Sequence, residues 1–89
     1  MGRERLLDVS ELEAPAPLQA ALSALDSLAA GDYLRLLLKR DPVYLYPLLL
    51  IQGFEYEARA GSQAIYEILI WHKDDLEAWQ AAHVDKTSG

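Results

Sequence analysis

The sequence predicts an α/β protein of the two-layer (α+β) sandwich type, with the element order β-α-β-α-β-β and a short C-terminal helical extension. Two kinds of pattern support this fold: several stretches alternate apolar and polar residues as strands do, and one leucine-rich stretch has helical spacing. With 89 residues, 52% of them hydrophobic, the chain has the size of one domain. Two helices on one face of a four-stranded mixed sheet form the simplest arrangement. We expect this domain over residues 5–73 and the extension over 74–89.

The first part of the chain predicts a strand followed by a helix. Leu6-Leu7-Asp8-Val9 is typical of a short strand, and residues 10–14 are predicted as a loop. Pro15-Ala16-Pro17 then begins a helix, because proline is tolerated where the first N–H groups have no helical partner. Gly31 suits the position just after a helix. The predicted buried stripe of this helix consists of Leu18, Leu22, Leu25 and Leu28.

The second half predicts three more strands around a second helix. Alternation indicates strands over residues 33–39, 54–60 and 64–73, with a hairpin turn at Gly61-Ser62-Gln63. Asp41-Pro42 marks the start of the second helix and Gly53 its end. Pro47 fits if the regular helix begins near Leu45, whereas it kinks a helix that begins at Pro42. In the last strand, the predicted inward residues are Tyr66, Ile68 and Ile70.

After Asp74 the chain predicts one further short helix. Leu76 and Trp79 have helical spacing behind the acidic pair Asp74-Asp75, and we expect residues 86–89 to be frayed.

Composition excludes several classes of function. Eight basic against fourteen acidic residues give a net charge of −6, so nucleic acid and anionic membranes are poor candidate partners. The absence of cysteine excludes disulfides, thiolate zinc sites and iron–sulfur clusters. The longest uncharged run, Pro42 to Phe54, is too short to span a bilayer, and no signal peptide is evident. We therefore expect a cytoplasmic protein without a bound cofactor.

One segment near the N-terminus resembles a known family. Leu7-Asp8, then Leu12, then Ala14-Pro15-Ala16-Pro17-Leu18 is similar to the opening of the SirA/TusA sulfur-carrier superfamily. In that family the opening is Leu-Asp, a short loop and Cys-Pro-x-Pro at the start of the first helix. The resemblance continues at Gly31-Asp32, Asp41-Pro42 and Gly53-Phe54. It implies the same β-α-β-α-β-β sandwich from Leu6 to Lys73.

The chain departs from this family at the residue that carries the sulfur. Ala14 occupies the position of the persulfide cysteine, and a methyl group is neither a nucleophile nor a sulfur carrier. We therefore expect no enzyme of the family's cysteine-dependent type. The chain is more similar to a cysteine-free branch of uncharacterised domains, some of which occur beside haemerythrin-like domains. That branch often has His-Asp-Pro at the second helix entry, whereas Arg40 precedes Asp41-Pro42 here, so no haem or metal role is implied.

A first candidate site is a ligand-binding edge of the sheet. If the first two strands are parallel, both helix N-termini meet at one edge, where a small anion is favoured. The candidate residues are Ala16, Leu18, Lys39, Arg40 and Tyr44. Alternatively, the prolines merely begin the helices, since they remove N–H donors and no glycine-rich loop accompanies them.

A second candidate is an interaction surface for a protein partner or a second copy of the chain. The second helix is apolar on all sides, and if Gln52 marks its solvent side, Leu45 and Leu49 are exposed. Ile65, Leu69 and Trp71 alternate onto the sheet face that neither core helix covers. Such surplus apolar surface is typical of interfaces. Alternatively, the C-terminal helix folds over this face through Leu76 and Trp79.

No catalytic or metal-binding motif emerges. His72 and His83 match no ligand spacing, and no serine has triad partners at a suggestive spacing. Our first hypothesis is therefore a non-enzymatic protein-interaction or regulatory domain. The second is a small-ligand or anion-binding domain, accessory to sulfur or redox metabolism.

Overall fold

The structure, a computed structural model, describes residues 3–13, 16–60 and 65–84, and it has the predicted fold and element order. The predicted turn at 61–63, Ala14 and the predicted frayed end at 86–89 lie outside the described residues. In the described part, no helix combines the length and apolar character needed to cross a membrane. The elements are β1 (Glu4–Asp8), α1 (Ala16–Asp26), β2 (Tyr33–Leu38), α2 (Leu45–Ile51), β3 (Phe54–Ala60), β4 (Tyr66–His72) and α3 (Leu76–Val84).

The four strands form one mixed sheet in the order β1-β2-β4-β3. β1 pairs with β2 in parallel, with Leu7 opposite Leu36. β4 is antiparallel to both of its neighbours, with Ile68 opposite Leu36 on one side and Ala58 on the other. β2 and β4 are thus the central strands, and β1 and β3 form the two edges.

The main core lies between the sheet and the helices α1 and α2, both on one face as predicted. Burying a large aliphatic side chain contributes about 1.5–3 kcal/mol, so this layer supplies most of the stability. Its largest buried side chains are Leu25, Leu34, Leu36, Leu38, Leu45, Leu49, Phe54, Ile68 and Ile70. Tyr66, predicted to point inward with the two isoleucines, is instead 38% exposed near the start of β4.

Helix α1 is rotated slightly from the predicted orientation. It buries Pro17, Ala21 and Leu25, whereas Leu18 and Leu22 are only half-buried. The helix ends at Asp26, several residues before Gly31. Gly31 instead serves the turn into β2, where its φ of 86° is one that glycine adopts without strain.

Helix α2 begins at Leu45, so Pro47 lies in its first turn and causes no kink. The prediction that Leu45 and Leu49 are exposed is wrong, because each is 1% exposed and both belong to the core. The error came from Gln52, which follows the helix as its C-cap and therefore does not mark a solvent side.

Helix α3 covers the opposite face of the sheet. It buries Leu69 and Trp71 against Ala78 and Ala82, so the prediction that these two residues form a free surface is also wrong. The alternative, cover by the C-terminal helix, is confirmed, but the contact is made by alanines. Small side chains let the helix approach the aromatic rings closely, whereas Leu76 and Trp79 remain 65% and 45% exposed. Tyr33 completes this second cluster.

The start of α3 is anchored by Asp75. Its carboxylate accepts hydrogen bonds from the N–H of Gly31 at 2.8 Å and from the N–H of Ala78 at 3.1 Å. The same two bonds, that from Gly31 first, lower the pKa of Asp75. One side chain therefore caps the helix and joins it to the loop before β2.

A pair of substitutions tests how α3 packs. Ala78→Leu should destabilise the fold by about 1–3 kcal/mol, because a larger side chain cannot fit between helix and sheet. Leu76→Ala should change stability by less than about 0.5 kcal/mol, since Leu76 contributes little buried area. Urea unfolding followed by tryptophan fluorescence measures both. Equal effects would contradict the described packing of α3.

Candidate functional site

The loops that follow β1 and β2 converge at one edge of the sheet. β1 and β2 are parallel, and the Nζ of Lys39 lies 4.0 Å from Oε2 of Glu11 across the two loops. The Val9 N–H also donates to the carbonyl oxygen of Leu37 at 2.9 Å. The two loops therefore meet at the sheet edge that was predicted to bind a ligand.

The five residues predicted to bind a ligand at this edge differ in accessibility. Lys39 and Arg40 are exposed and Tyr44 is 46% exposed, so these three are available to a ligand. Ala16 and Leu18 are half-buried, and Leu18 packs against the main core. A ligand at this edge can therefore contact two cationic side chains and a phenol, whereas the predicted residues of α1 are less accessible.

Two carboxylates stabilise the loops at this edge. Asp8 Oδ1 accepts hydrogen bonds from the Ser10 hydroxyl at 2.6 Å and the Ser10 N–H at 3.0 Å. These bonds, the hydroxyl first, lower the pKa of Asp8. Asp41 Oδ1 accepts a hydrogen bond from the Tyr46 hydroxyl at 2.6 Å. Both negative charges reduce the attraction that Lys39 and Arg40 exert on an anion.

The N-terminus of α2 adds little to an anion site. The helix has only seven residues, and its N-cap residue Tyr44 forms no side-chain cap. Pro47 has no N–H, which removes a donor from the first turn. Two of the features that favour anions at helix N-termini, length and free N–H groups, are therefore weak here.

Tyr46 serves packing between α2 and β3. Its ring stacks on that of Tyr56 with centroids 4.5 Å apart and an interplanar angle of 9°. Burial, followed by the hydrogen bond to Asp41, raises the pKa of Tyr46 far above its usual value. The phenol therefore stays protonated and does not supply a general base.

An exposed apolar surface lies on the outside of α2 and its entry. We call it the α2 surface, and its members are Val43 (64% exposed), Tyr44 (46%), Leu50 (60%) and Ile51 (79%). Leu50 and Ile51 are in the last turn of α2, and Val43 and Tyr44 come directly before the helix. Tyr44 has helical backbone angles and precedes Ile51 by seven residues, about two turns, so these two lie on one side. Sequence analysis missed three of these four residues because the helix contains no polar residue that marks its outer side.

A second cluster joins the end of α3 to β3. The Nδ1 of His83 lies 2.7 Å from the carbonyl oxygen of Trp79, and its Nε2 lies 2.7 Å from Oε1 of Glu57. Both neighbours are oxygen acceptors, so a ring nitrogen of His83 that carries a proton can donate to the oxygen that it faces. Glu57 also accepts from Nε of Arg59 at 2.7 Å. The bond from His83, followed by that from Arg59, lowers the pKa of Glu57.

Two open grooves lie beside β3. The first has a volume of about 410 Å³ and is lined by Glu55, Trp71, Asp74, Asp75, Leu76 and Trp79. The second has a volume of about 380 Å³ and is lined by Leu50, Phe54, Glu55, Tyr56 and Lys73. Glu55 borders both grooves. Within residues 3–13, 16–60 and 65–84, no three histidine or carboxylate side chains are grouped closely enough to hold a metal ion.

Ile65, the remaining residue of the predicted interaction surface, is half-buried just before β4. The structure therefore brings none of the five predicted interface residues to an open surface. Exposed apolar residues lie elsewhere, on the α2 surface, at Leu76 and Trp79 beside β3, and at Leu6 and Leu12 in and after β1.

The contact between His83 and Glu57 predicts a pH dependence. A carboxylate whose pKa is lowered by folding stabilises the fold above its ordinary pKa, and this contribution is lost as the pH falls. Wild-type stability should therefore fall more steeply than that of Glu57→Gln between about pH 5 and pH 3. The difference should stay below about 1 kcal/mol, since the Glu57 side chain is 38% exposed.

Urea unfolding at stepped pH measures this difference, with Glu13→Gln as the matched control. Glu13 is exposed, and its side chain forms no hydrogen bond or ion pair with another described residue. Parallel pH profiles for wild type and Glu57→Gln would show that the contact contributes nothing.

Comparison with known proteins identifies the fold and the family. A solved SirA-like protein from Desulfitobacterium hafniense superposes with a TM-score of 0.65 at 20% identity, covering 79% of this chain and 95% of that chain. Such low identity shows a shared fold only. None of the curated proteins compared with this chain matches it. The family model described as "Uncharacterized conserved protein (DUF2249)" matches residues 6–72, most of the chain, and the chain therefore belongs to this family of SirA-like fold.

Proposed function

We propose that this chain is a non-enzymatic protein-interaction module and that its docking surface is the α2 surface. The observation that carries this proposal is the exposure of four large apolar side chains along one side of α2 and its entry. A small monomer rarely leaves apolar residues grouped in this way unless they contact a partner. Leu45 and Leu49 of the same helix already fill the core, so the exposed residues are not needed for packing within the chain.

The charges beside the α2 surface indicate the chemistry of the partner. Lys39 and Arg40 are exposed and precede Val43 closely in the chain, whereas the whole chain carries a net charge of −6. The chain that enters the α2 surface therefore carries two cations against one carboxylate, Asp41, and one of the cations, Lys39, lies 4.0 Å from Glu11. The complementary partner is a protein that presents an apolar ridge beside carboxylates.

The lack of a thiol supports a non-enzymatic role. The chain contains no cysteine, and Ala14 stands where the sulfur carriers have theirs, so the chain fits a cysteine-free branch of this fold. The polar groups best suited to proton transfer are engaged in structural contacts, Tyr46 with Asp41 and His83 with Glu57. A regulatory role through binding, in the cytoplasm, agrees with this chemistry.

A matched pair of variants tests the proposal. Ile51→Asp places a charge on the α2 surface, whereas Leu6→Asp places the same charge on an exposed leucine of β1. In affinity capture quantified by mass spectrometry, a specific partner should be retained by wild type and Leu6→Asp and lost by Ile51→Asp. With the purified partner, Ile51→Asp should raise Kd at least about tenfold, or 1.4 kcal/mol. Identical captured proteins for wild type and Ile51→Asp would reject the α2 surface.

The convergence of the β1 and β2 loops favours a second candidate function, binding of a small anion near Lys39 and Arg40. The contact between Lys39 and Glu11 shows that the two loops meet, so an anion could replace the Glu11 carboxylate at Lys39. The carboxylates of Asp8 and Asp41 at this edge make it the weaker candidate.

Amide NMR titration with phosphate and with sulfate tests this candidate. Shifts near residues 39–44 should saturate for wild type and weaken severalfold in Arg40→Gln, because one of the two cations is lost. Arg5→Gln, which removes an exposed positive charge from β1, should leave the titration unchanged. Equal affinity in wild type and Arg40→Gln would reject the site.

A further inference from the structure

The outer edge of β3 presents unpaired backbone groups. Among the described strands, β3 pairs only with β4. The N–H of Lys73 donates to the carbonyl oxygen of Gly53 at 2.8 Å. Together with the register, this bond shows which residues of β3 direct their backbone groups toward β4. By the alternation of antiparallel pairing, Glu55, Glu57 and Arg59 direct their backbone groups to β4. The N–H and C=O groups of residues 54, 56, 58 and 60 therefore point away from the sheet.

This edge lacks three of the features that commonly prevent strand pairing, namely short length, prolines and bulges. β3 has seven residues without proline or glycine, and its register with β4 is continuous from Phe54 to Ala60, so it has no bulge. The three charged side chains alternate onto the face covered by α3 and leave the hydrogen-bonding edge open.

The charge pattern of β3 is complementary to itself. If a second copy pairs antiparallel in full overlap, Glu57 lies opposite Glu57 at the two-fold axis, and each Glu55 lies opposite Arg59 of the second copy. We propose that the chain forms a homodimer through β3, in which two four-stranded sheets join into one sheet of eight strands. Opposite charges placed directly across from each other stabilise antiparallel pairs. Up to about eight backbone hydrogen bonds form along the shared edge.

The two glutamates at the two-fold axis do not prevent this pairing. Each Glu57 carboxylate is already bonded to Arg59 and His83 of its own chain. Arg59 uses its Nε for Glu57, and its terminal nitrogens have four further N–H donors for Glu55 of the second copy. Each arginine can therefore hold one carboxylate from each chain.

Apolar residues flank this edge on both faces of the sheet. Leu50 shares a groove with Phe54 and Tyr56 on the α2 side, and Trp79 and Leu76 share a groove with Glu55 on the α3 side. Leu50, Leu76 and Trp79 are all exposed. The two-fold axis at Glu57 places the groups of the two copies at opposite ends of the shared edge, so each group lies beside the C-terminal half of β3 in the second copy.

The other edge strand shows that this complementarity is not general. In β1, full antiparallel overlap with a second copy would place Glu4 opposite Asp8, a pair of like charges. β1 also has only five residues. The charges therefore favour self-pairing at β3 and disfavour it at β1.

Charge variants of the full chain, measured by analytical ultracentrifugation, test the dimer. Wild type should be dimeric at micromolar concentrations. Glu55→Arg leaves only arginine at positions 55 and 59, and Arg59→Glu leaves only glutamate, so each variant alone should dimerise at least tenfold more weakly. An equimolar mixture restores both opposite-charge pairs and should form a heterodimer. Circular dichroism checks that both variants are folded. A monomeric wild type, or a mixture that does not associate, would overturn the proposal.

The register is tested by introducing a single cysteine, since the chain has none of its own. Glu57→Cys should form an intermolecular disulfide under mild oxidation, because residue 57 faces itself across the axis within disulfide reach. Glu55→Cys should not, because its counterpart lies about 13 Å away along the strand. Equal cross-linking of both variants would overturn this register.

This proposal is independent of the proposed function. Ile51→Asp tests partner binding at the α2 surface, and the mixture of charge variants tests self-association at β3, so each proposal can fail without the other.

Discussion

The central strands β2 and β4 carry large apolar side chains on both faces, and these require a cover on each side of the sheet. On one face, Leu34, Leu36, Ile68 and Ile70 are covered by α1 and α2. On the other, Tyr33, Leu69 and Trp71 need a second cover, which α3 supplies. The family model ends at residue 72, before α3 begins. In this chain, the segment that matches the family therefore depends for its burial on a helix outside that match.

The part of the second face that α3 does not cover is partly shielded from water by paired charged side chains. Beyond α3, four side chains on this face are charged and paired, Arg35 with Glu67 and Arg59 with Glu57. Arg35 also lies 3.6 Å from Glu4. Long side chains cover the sheet with their methylene groups while their charged ends stay partly in water. A helix of nine residues is therefore sufficient to cover only the apolar end of this face.

The elements could be predicted because their patterns are local. β3 has the predicted ends, and the order of strands and helices follows from alternation and from proline and glycine positions. The orientation of α2 could not be predicted, because every side chain from Leu45 to Ile51 is apolar except for the Tyr46 hydroxyl. Only the position of the sheet decides that Leu45 faces inward and Ile51 outward. For α3, the large residues suggested the contact, although its alanines make it.

The candidate site was predictable only in part, for the same reason. That the loops after β1 and β2 meet follows from topology, and Lys39 and Arg40 are exposed there. The carboxylates of Asp8 and Asp41 accept hydrogen bonds at that edge through particular side-chain conformations. The contact between Glu57 and His83 joins residues 26 positions apart and belongs to no motif.

A small sheet protein can cover its faces more easily than its edges. Three short helices bury both faces of the central strands, but β1 and β3 each retain a free side among the described strands. The outer side of α2 also remains apolar after the core beneath it is complete. The outside of α2 and the edge of β3 are thus two described surfaces on which apolar side chains or backbone groups remain in contact with water. Because they adjoin at Leu50, a molecule bound at one of them would change the surroundings of the other.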